Sequence, residues 1–364
     1  MHVILIIKNF IGFTIFKMLK HYLVLSNNNS KNLLFINTGQ IGDLIISSLI
    51  FKNADILKKK YDNIYFLLKY EFAELFKDEN KINFIQWNYK KYKYNIIYRI
   101  KFLLNLRKLN IIDTFNLTAA RGITVDELSL LSGGKNIFAL NSNYRYLTKL
   151  FGESIDKMYT KILAKNILNE YDKNIIALKY LGLDYQFDKT NYQRKDNNTY
   201  KYDIVIAPFS SLRNKEWGRK KFEKLIKILS QKNKILLLGA FEQKNKLDSL
   251  KKDNDNVSID AGEIPLNNIQ NVIKNSKLFI GLDSGLSHIA LKVGTPLIAI
   301  IGGALFGRFF PYNDNYNTRY LYNKMDCFGC ELRCIHKEPY CLTEVTVDEV
   351  LKNAYEILDN YEDS

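Results

Sequence analysis

Lys277-Leu278-Phe279-Ile280-Gly281-Leu282-Asp283-Ser284-Gly285-Leu286-Ser287-His288 is the stretch on which the fold of this chain turns. Its first half is an apolar run of strand length that ends in a polar, glycine-bearing turn. Ile289-Ala290-Leu291-Lys292-Val293 then reads as a helix, closed by Gly294-Thr295-Pro296. Strand, turn, helix is how an α/β protein aims backbone N–H groups at a phosphate. Ser284 is predicted to cap the helix, and Gly285 lets a bulky ligand approach the backbone. Asp283 and His288 are expected to add a carboxylate and an imidazole at the mouth of the turn. A capped helix behind a buried strand, with no ligand, fits the same residues.

The same pattern repeats on both sides. Upstream, Leu33-Leu34-Phe35-Ile36-Asn37 leads into Gly39-Gln40-Ile41-Gly42-Asp43, a helical stretch over 44–60, and a strand over Ile64-Tyr65-Phe66-Leu67-Leu68. A strand–helix–strand of that length implies a right-handed parallel crossover. Asp188 to Lys201 is polar and reads as a linker. Alternation restarts with Tyr202-Asp203-Ile204-Val205-Ile206-Ala207, a helix over 220–231, a strand over 234–238 and another at Val257-Ser258-Ile259. It closes with Leu297-Ile298-Ala299-Ile300-Ile301 and a terminal amphipathic helix over 347–361. The chain thus divides into an extension (1–32), a first Rossmann-like domain (33–190), a second (200–345) and a C-terminal helix (346–364). Two successive α/β alternations predict two doubly wound domains facing a cleft, with ligands at the carboxyl ends of strands.

At 364 residues the chain has room for two such domains. Its formal charge of +15 attracts polyanions without choosing among nucleic acid, anionic lipid and phosphorylated glycan. No finger spacing or aromatic RNP strand is present, which argues against nucleic acid. Lysines at 8, 17 and 20 interrupt the apolar N-terminus, so no run reaches the roughly 18–20 residues that span a bilayer. No small-x-small cleavage pattern follows it, which argues against a secretory signal. On a helix, Asn9, Thr14, Lys17, Lys20 and His21 share a polar arc, while Phe10, Phe13, Phe16, Leu19 and Leu23 lie outside it. That suits an interfacial helix on a membrane, or one packed on the protein's own surface.

Chemistry-bearing residues fall at strand ends. Gly39 and Gly42 permit a tight turn. Asp43, in the first helical turn, could take a proton from a substrate hydroxyl or simply complement the helix dipole. In Pro208-Phe209-Ser210-Ser211-Leu212-Arg213-Asn214-Lys215-Glu216-Trp217, Ser210 and Ser211 can donate to phosphate oxygens, and Lys215 offers a point charge for a diphosphate. Trp217 is expected to anchor the turn. Glu242, after Gly239-Ala240-Phe241, could accept from the two hydroxyls of a ribose.

Taken in order, Gly-x-x-Gly-Asp, Pro-x-x-Ser-x-x-x-Lys-x-Trp, Gly-x-x-Glu and Asp-Ser-Gly-x-x-His-x-Ala-x-x-x-Gly-x-Pro resemble glycosyltransferase family 9. These are the ADP-heptose:lipopolysaccharide heptosyltransferases and their relatives. The resemblance covers roughly Leu33 to Leu358. It implies a GT-B fold and an inverting transfer that needs no catalytic metal, from an ADP-sugar to an anionic glycolipid acceptor. Within it, Asp43 is the general base, Lys215 neutralises the departing diphosphate and Glu242 holds the ribose. Asp283 contacts the sugar, and Ser284, Gly285 and His288 lie by the phosphates. It also implies a cytoplasmic protein, peripheral at the inner membrane. Family members often carry a proline after the Gly-Asp motif where this chain reads Ser47-Ser48-Leu49-Ile50, and the extension lies outside the usual core.

Two features stand apart. Cys327, Cys330, Cys334 and Cys341 are the only cysteines and suggest a structural metal knuckle, zinc above all, with free thiols and redox pairing as alternatives; His336 is a substitute ligand. Tyr89 to Lys108 holds seven basic residues, interleaved tyrosines and no acid. It reads as a surface for an anionic glycolipid or membrane, or as a solvated helix face. The alternative functions are a sugar-nucleotide epimerase of the same shape, which would need further carboxylates around the sugar, and a non-catalytic polyanion-binding protein.

Overall fold

In each half of the chain, apolar runs too continuous to face water on one side pair with their neighbours in parallel. The computed structural model describes residues 10–19, 31–142, 144, 146–183, 200–312 and 317–362. The chain forms two units, Met1–Tyr185 and Gln186–Ser364. Of the expected linker, Asp188 to Lys201, residues 188–199 lie outside the described residues.

The first unit opens with helix α1 (residues 10–19). It continues with β1 (Asn32–Ile36), α2 (Ile41–Ser47), α3 (Ala54–Leu57), β2 (Asn63–Lys69), β3 (Asn83–Trp87), α4 (Tyr89–Tyr94), α5 (Ile96–Arg107) and β4 (Ile111–Asn116). Then come α6 (Ile123–Leu130), β5 (Asn136–Leu140), α7 (Lys149–Asp156), β6 (Lys161–Leu163) and α8 (Glu170–Tyr180). Its sheet runs β3-β2-β1-β4-β5-β6. All five residues of β1 are buried, as a central parallel strand requires. Leu34 and Ile36 join Leu67, Leu103 and Leu106 in one cluster. The other face stacks Phe35 with Phe66 and Phe115, and Phe115 meets Tyr180 of α8.

The second unit contains β7 (Tyr202–Ala207), α9 (Arg219–Leu229), β8 (Ile235–Gly239), α10 (Lys244–Lys251), β9 (Val257–Ala261), α11 (Leu266–Lys274) and β10 (Ser276–Leu282). It closes with α12 (Gly285–Val293), β11 (Leu297–Ile300), β12 (Thr318–Leu321), α13 (Tyr340–Thr343) and α14 (Val347–Glu362). Its sheet runs β12-β11-β10-β7-β8-β9. Helix α14 buries Val350, Ala354 and Ile357 in the core of this unit.

In both sheets the strand order reverses at one point, between β1 and β4 and between β10 and β7. Connections leaving the two strands at such a point diverge and open a crevice at their carboxyl ends. Gly39–Asp43 follows β1, and Lys215 and Asp283 follow β7 and β10. The topology therefore places these three motifs at the switch points, where an open sheet binds its ligand, while Glu242 follows the neighbouring β8.

The expected continuous helix over 44–60 is instead three pieces. Between α2 and α3 the chain tightens into a 3-10 turn over Ser48–Asn53. The hydroxyl of Ser48 donates to the Ile45 carbonyl, and Asn53 Nδ2 donates to the Leu49 carbonyl. Short polar side chains that bond the preceding turn compete with the regular ladder. The 89–108 stretch also breaks. Asn95, whose side chain accepts from the Tyr98 N–H, caps α5 and separates it from α4.

Candidate functional site

The second unit gathers most of the predicted residues. Lys215 sits at the end of a 3-10 turn, Arg213–Lys215, that follows β7. Its Nζ lies 2.7 Å from Asp283 Oδ2, just past the end of β10. The pair is largely buried, with side chains 17% and 15% exposed. Lys215 is therefore held by a carboxylate and is not a freely mobile charge. Trp217 fixes the turn as expected: its indole N–H donates to the Val345 carbonyl at 2.8 Å, and its ring meets Phe222 edge-on. Emptying a site packed like this costs about 3–5 kcal/mol.

Ser284 occupies the N-cap position of α12, yet its side chain makes no cap hydrogen bond. Its Oγ is buried with no hydrogen-bond partner. The predicted cap residue is thus in place but without its cap bond, which leaves an unpartnered hydroxyl and the first N–H groups of α12 beside the Lys215–Asp283 pair. The helix is secured elsewhere. Ser287 Oγ donates to the Leu282 carbonyl at 2.6 Å, and a Cβ on Gly281 would come within 2.8 Å of that hydroxyl. At the other end Gly294, left-handed at φ 77°, closes α12.

His288 differs most from expectation. It is 3% exposed, one turn into α12, with its ring stacked 4.1 Å from Phe310 and its Nδ1 2.8 Å from the Tyr312 hydroxyl. Burial pulls its pKa down to about 4, although the charge of Asp283 opposes this. The imidazole is neutral near pH 7 and lies inside the wall of the turn, not at its mouth.

Ser210 accepts the Leu212 N–H at 3.3 Å, and Ser211 is exposed. Glu242 is exposed in a one-turn 3-10 segment after β8, where Gln243 Oε1 accepts the Ala240 N–H.

The cysteines belong to this site. A small open pocket is lined by Lys215, Asp283 and Gly303 together with Cys327, Cys330, Cys334, His336 and Cys341. Asn214, next to Lys215, donates to the Leu332 carbonyl, and the Gly329 N–H donates to the Gly303 carbonyl at 2.8 Å. Gly303 has no room for a side chain, because a Cβ would meet the Phe328 ring at 2.3 Å. Its N–H donates to Cys341 Sγ at 3.3 Å. Burial pushes the Cys341 thiol up. All four cysteines are free, and among the described residues no three His, Cys, Asp or Glu side chains are set to hold a metal ion. The four thiols share one pocket, but as placed they are not gathered around a common metal position. Their place beside Lys215 is what sequence spacing did not show.

In the first unit, Asp43 lies in the first turn of α2. Its Oδ2 accepts the Gln40 N–H at 2.8 Å. Gly39 makes this geometry feasible, since a Cβ there would sit 2.4–2.6 Å from the Asp43 side chain. Asn37 braces the turn by donating to the Asp43 carbonyl and to Ser47 Oγ. Thr38 N–H donates to Thr118 Oγ1 across the switch point. One residue was missed. Lys69 ends β2, beside β1. Burial holds its pKa down, while Glu71 and Asp43 oppose this, so a cation stands within electrostatic reach of the carboxylate. Its sequence signal was a lysine closing the strand next to the Gly-Asp turn.

The model of the family described as Glycosyltransferase family 9 (heptosyltransferase) matches residues 137–336, more than half of the chain. The Lipooligosaccharide heptosyltransferase 2 of Campylobacter jejuni is 26% identical over 152 residues, which cover 40% of this chain and 47% of that protein. The match thus spans about half the length of that relative. The Lipopolysaccharide heptosyltransferase 1 of Campylobacter coli is 23% identical over 358 residues, 88% of this chain and 97% of that protein. Among solved structures, E. coli ADP-heptose lps heptosyltransferase II superposes with a TM-score of 0.69 at 16% identity, covering 91% of this chain and 99% of that one. The chain belongs to glycosyltransferase family 9.

Proposed function

We propose that this family 9 glycosyltransferase moves a heptose from an ADP-sugar onto a lipopolysaccharide or lipooligosaccharide core, with inversion and without a catalytic metal. The observation that carries the reading is in the second unit. Lys215, the open N-terminus of α12 and the unpartnered Ser284 hydroxyl converge beside Asp283. That is a cradle for a diphosphate next to a carboxylate able to hold sugar hydroxyls. The names of the matched relatives supply the heptose and the acceptor class, and the superposed E. coli enzyme supplies ADP.

The chemistry follows from these groups. The acceptor oxygen attacks the anomeric carbon from the face opposite the diphosphate. The bond from that carbon to the phosphate oxygen breaks, and its electron pair leaves with ADP. The acceptor proton passes to the Asp43 carboxylate. Lys215 turns from Asp283 towards the departing diphosphate, and the first amides of α12 take up the rest of the charge. Gly285 keeps the backbone approachable. Ser210, Ser211 and Glu242 present hydroxyls and a carboxylate to the phosphates and the ribose. His288 supports the turn from behind.

A melting-temperature panel of ADP-, UDP- and GDP-sugars tests the donor, because a ligand that binds the native state raises its melting point. ADP-heptose is expected to give the largest rise, and preference for another nucleotide overturns the donor assignment. Transfer to a purified core acceptor in excess chelator, with the anomeric configuration read by NMR, tests inversion and metal independence. Retention of configuration, or loss of transfer that added magnesium restores, overturns the corresponding step.

A further inference from the structure

We propose that the outer face of α1 and α5 in the first unit docks on an anionic phospholipid surface. Phe16 and Leu19 of α1 are buried in the same cluster as Leu103 and Leu106 of α5. The two helices thus cover one side of the β1-centred sheet, and their remaining faces point away from it. Those faces are not polar. On α1, Phe10, Ile11 and Met18 are 65%, 54% and 57% exposed. On α5, Ile97, Ile100 and Leu104 are exposed at three- and four-residue spacing, which aligns them in one stripe. The predicted polar arc of α1 holds for Thr14 and Lys17, but Phe10 is exposed with them.

Cations frame the stripe. Lys17, Lys93, Lys101 and Lys108 are exposed. No Asp or Glu occurs in residues 1–25 or 89–108. Two of the seven basic residues expected on this surface are removed from it by the fold. Arg99 is buried in an ion pair with Glu127, and Arg107 is buried with its guanidinium donating to the Leu131 carbonyl. What remains is exposed aliphatic and aromatic side chains with lysines as the charged groups on the same segments.

That combination selects the occupant. A solvated face has no use for exposed Phe, Ile and Met on two helices that share one buried cluster. Nucleic acid would satisfy the lysines but leave the aliphatic stripe without a partner. A second copy meeting this face about a two-fold axis would set lysine against lysine. An anionic bilayer satisfies both sets: apolar side chains enter the acyl boundary while ammonium groups stay among the headgroup phosphates. Among the described residues no helix is long and apolar enough to cross a membrane, so the contact is interfacial.

The test is sedimentation of the full chain with phosphatidylcholine vesicles and with vesicles in which about a third of the lipid is phosphatidylglycerol. Binding is expected only to the second, weakening as salt rises. The triple variant Ile97→Ser, Ile100→Ser, Leu104→Ser is expected to bind at least about tenfold more weakly. Lys93→Gln and Lys101→Gln are each expected to cost about fivefold. All five positions are exposed, so melting temperatures are expected to stay at the wild-type value; should the triple variant melt early, the lysine variants decide. No binding of the wild type, or equal binding by the lysine variants, overturns the proposal. So does a dimer in sedimentation velocity that the triple variant dissolves, since the occupant is then a second copy.

Discussion

Two strand-to-helix turns, one in each unit, look alike in sequence and end up with opposite electrostatics. After β1, the carboxylate of Asp43 folds back to accept the Gln40 N–H, so the helix start is satisfied by its own chain and carries a negative charge. After β10, Asp283 turns away to Lys215, Ser284 leaves its hydroxyl unused, and the start of α12 stays open. A helix N-terminus attracts one anion. Where the chain supplies that anion, the turn presents a carboxylate suited to accept a proton; where it does not, the turn waits for a ligand's. Both begin with a glycine-bearing loop at a topological switch point, so a carboxylate in the first turn of α2 that α12 lacks, not the fold, decides the difference.

The sharpest way to break this contrast is Asp43→Asn. The amide retains an oxygen for the Gln40 N–H, so the turn is expected to fold while turnover falls by roughly 10²–10⁴ with donor affinity intact. Loss of donor binding in calorimetry would show that the two turns do not divide the labour as described. Next comes Lys215→Ala, expected to lower turnover by about 10²–10³ and to weaken ADP-sugar binding. Adding Asp283→Asn separates function from packing. The double variant should regain melting temperature without regaining ADP affinity, and recovery of both would reduce the lysine to a structural partner.

A pH series sharpens the comparison from the stability side. The folded pKa of His288 is about 4, below its unfolded value, so the unfolded chain binds the proton more readily. The native state thus loses stability as pH falls from about 6.5 towards 4, by about 1.4 kcal/mol per unit across that window. His288→Gln should flatten this slope in urea titrations followed by tryptophan fluorescence; an unchanged slope would place the responsible group elsewhere. The smallest effect is expected from Ser284→Ala. Removing a buried hydroxyl with no partner should leave melting unchanged or slightly raised, yet weaken donor binding about fivefold. Equal donor affinity would mean that the open cap serves packing alone.

Much of this was legible from residues in order. The apolar runs at Leu33–Ile36, Tyr202–Ala207 and Lys277–Leu282 became central parallel strands because no amphipathic alternative existed for them. Trp217 anchored its turn as expected. The single helix over 44–60 was misread because periodicity is blind to Ser48 and Asn53 bonding backwards. His288 was misplaced because a helical histidine one turn from the cap can face either way, and the residues that chose its side, Phe310 and Tyr312, lie over twenty positions on. The cysteines were read as a separate knuckle because spacing says nothing about which wall they form.

Sequence alone determined the strands that lead into the glycine-bearing turns, the turns themselves and the identity of the charged groups, since each is written in neighbours a few residues apart and obeys short-range sterics and periodicity. Tertiary structure alone decided that Lys215 meets Asp283, that Arg99 withdraws from the basic surface, and that His288 is neutral. Those outcomes depend on desolvation and on partners brought from distant segments. The free energy of a charge is set by what surrounds it in space, and a linear pattern does not carry that information.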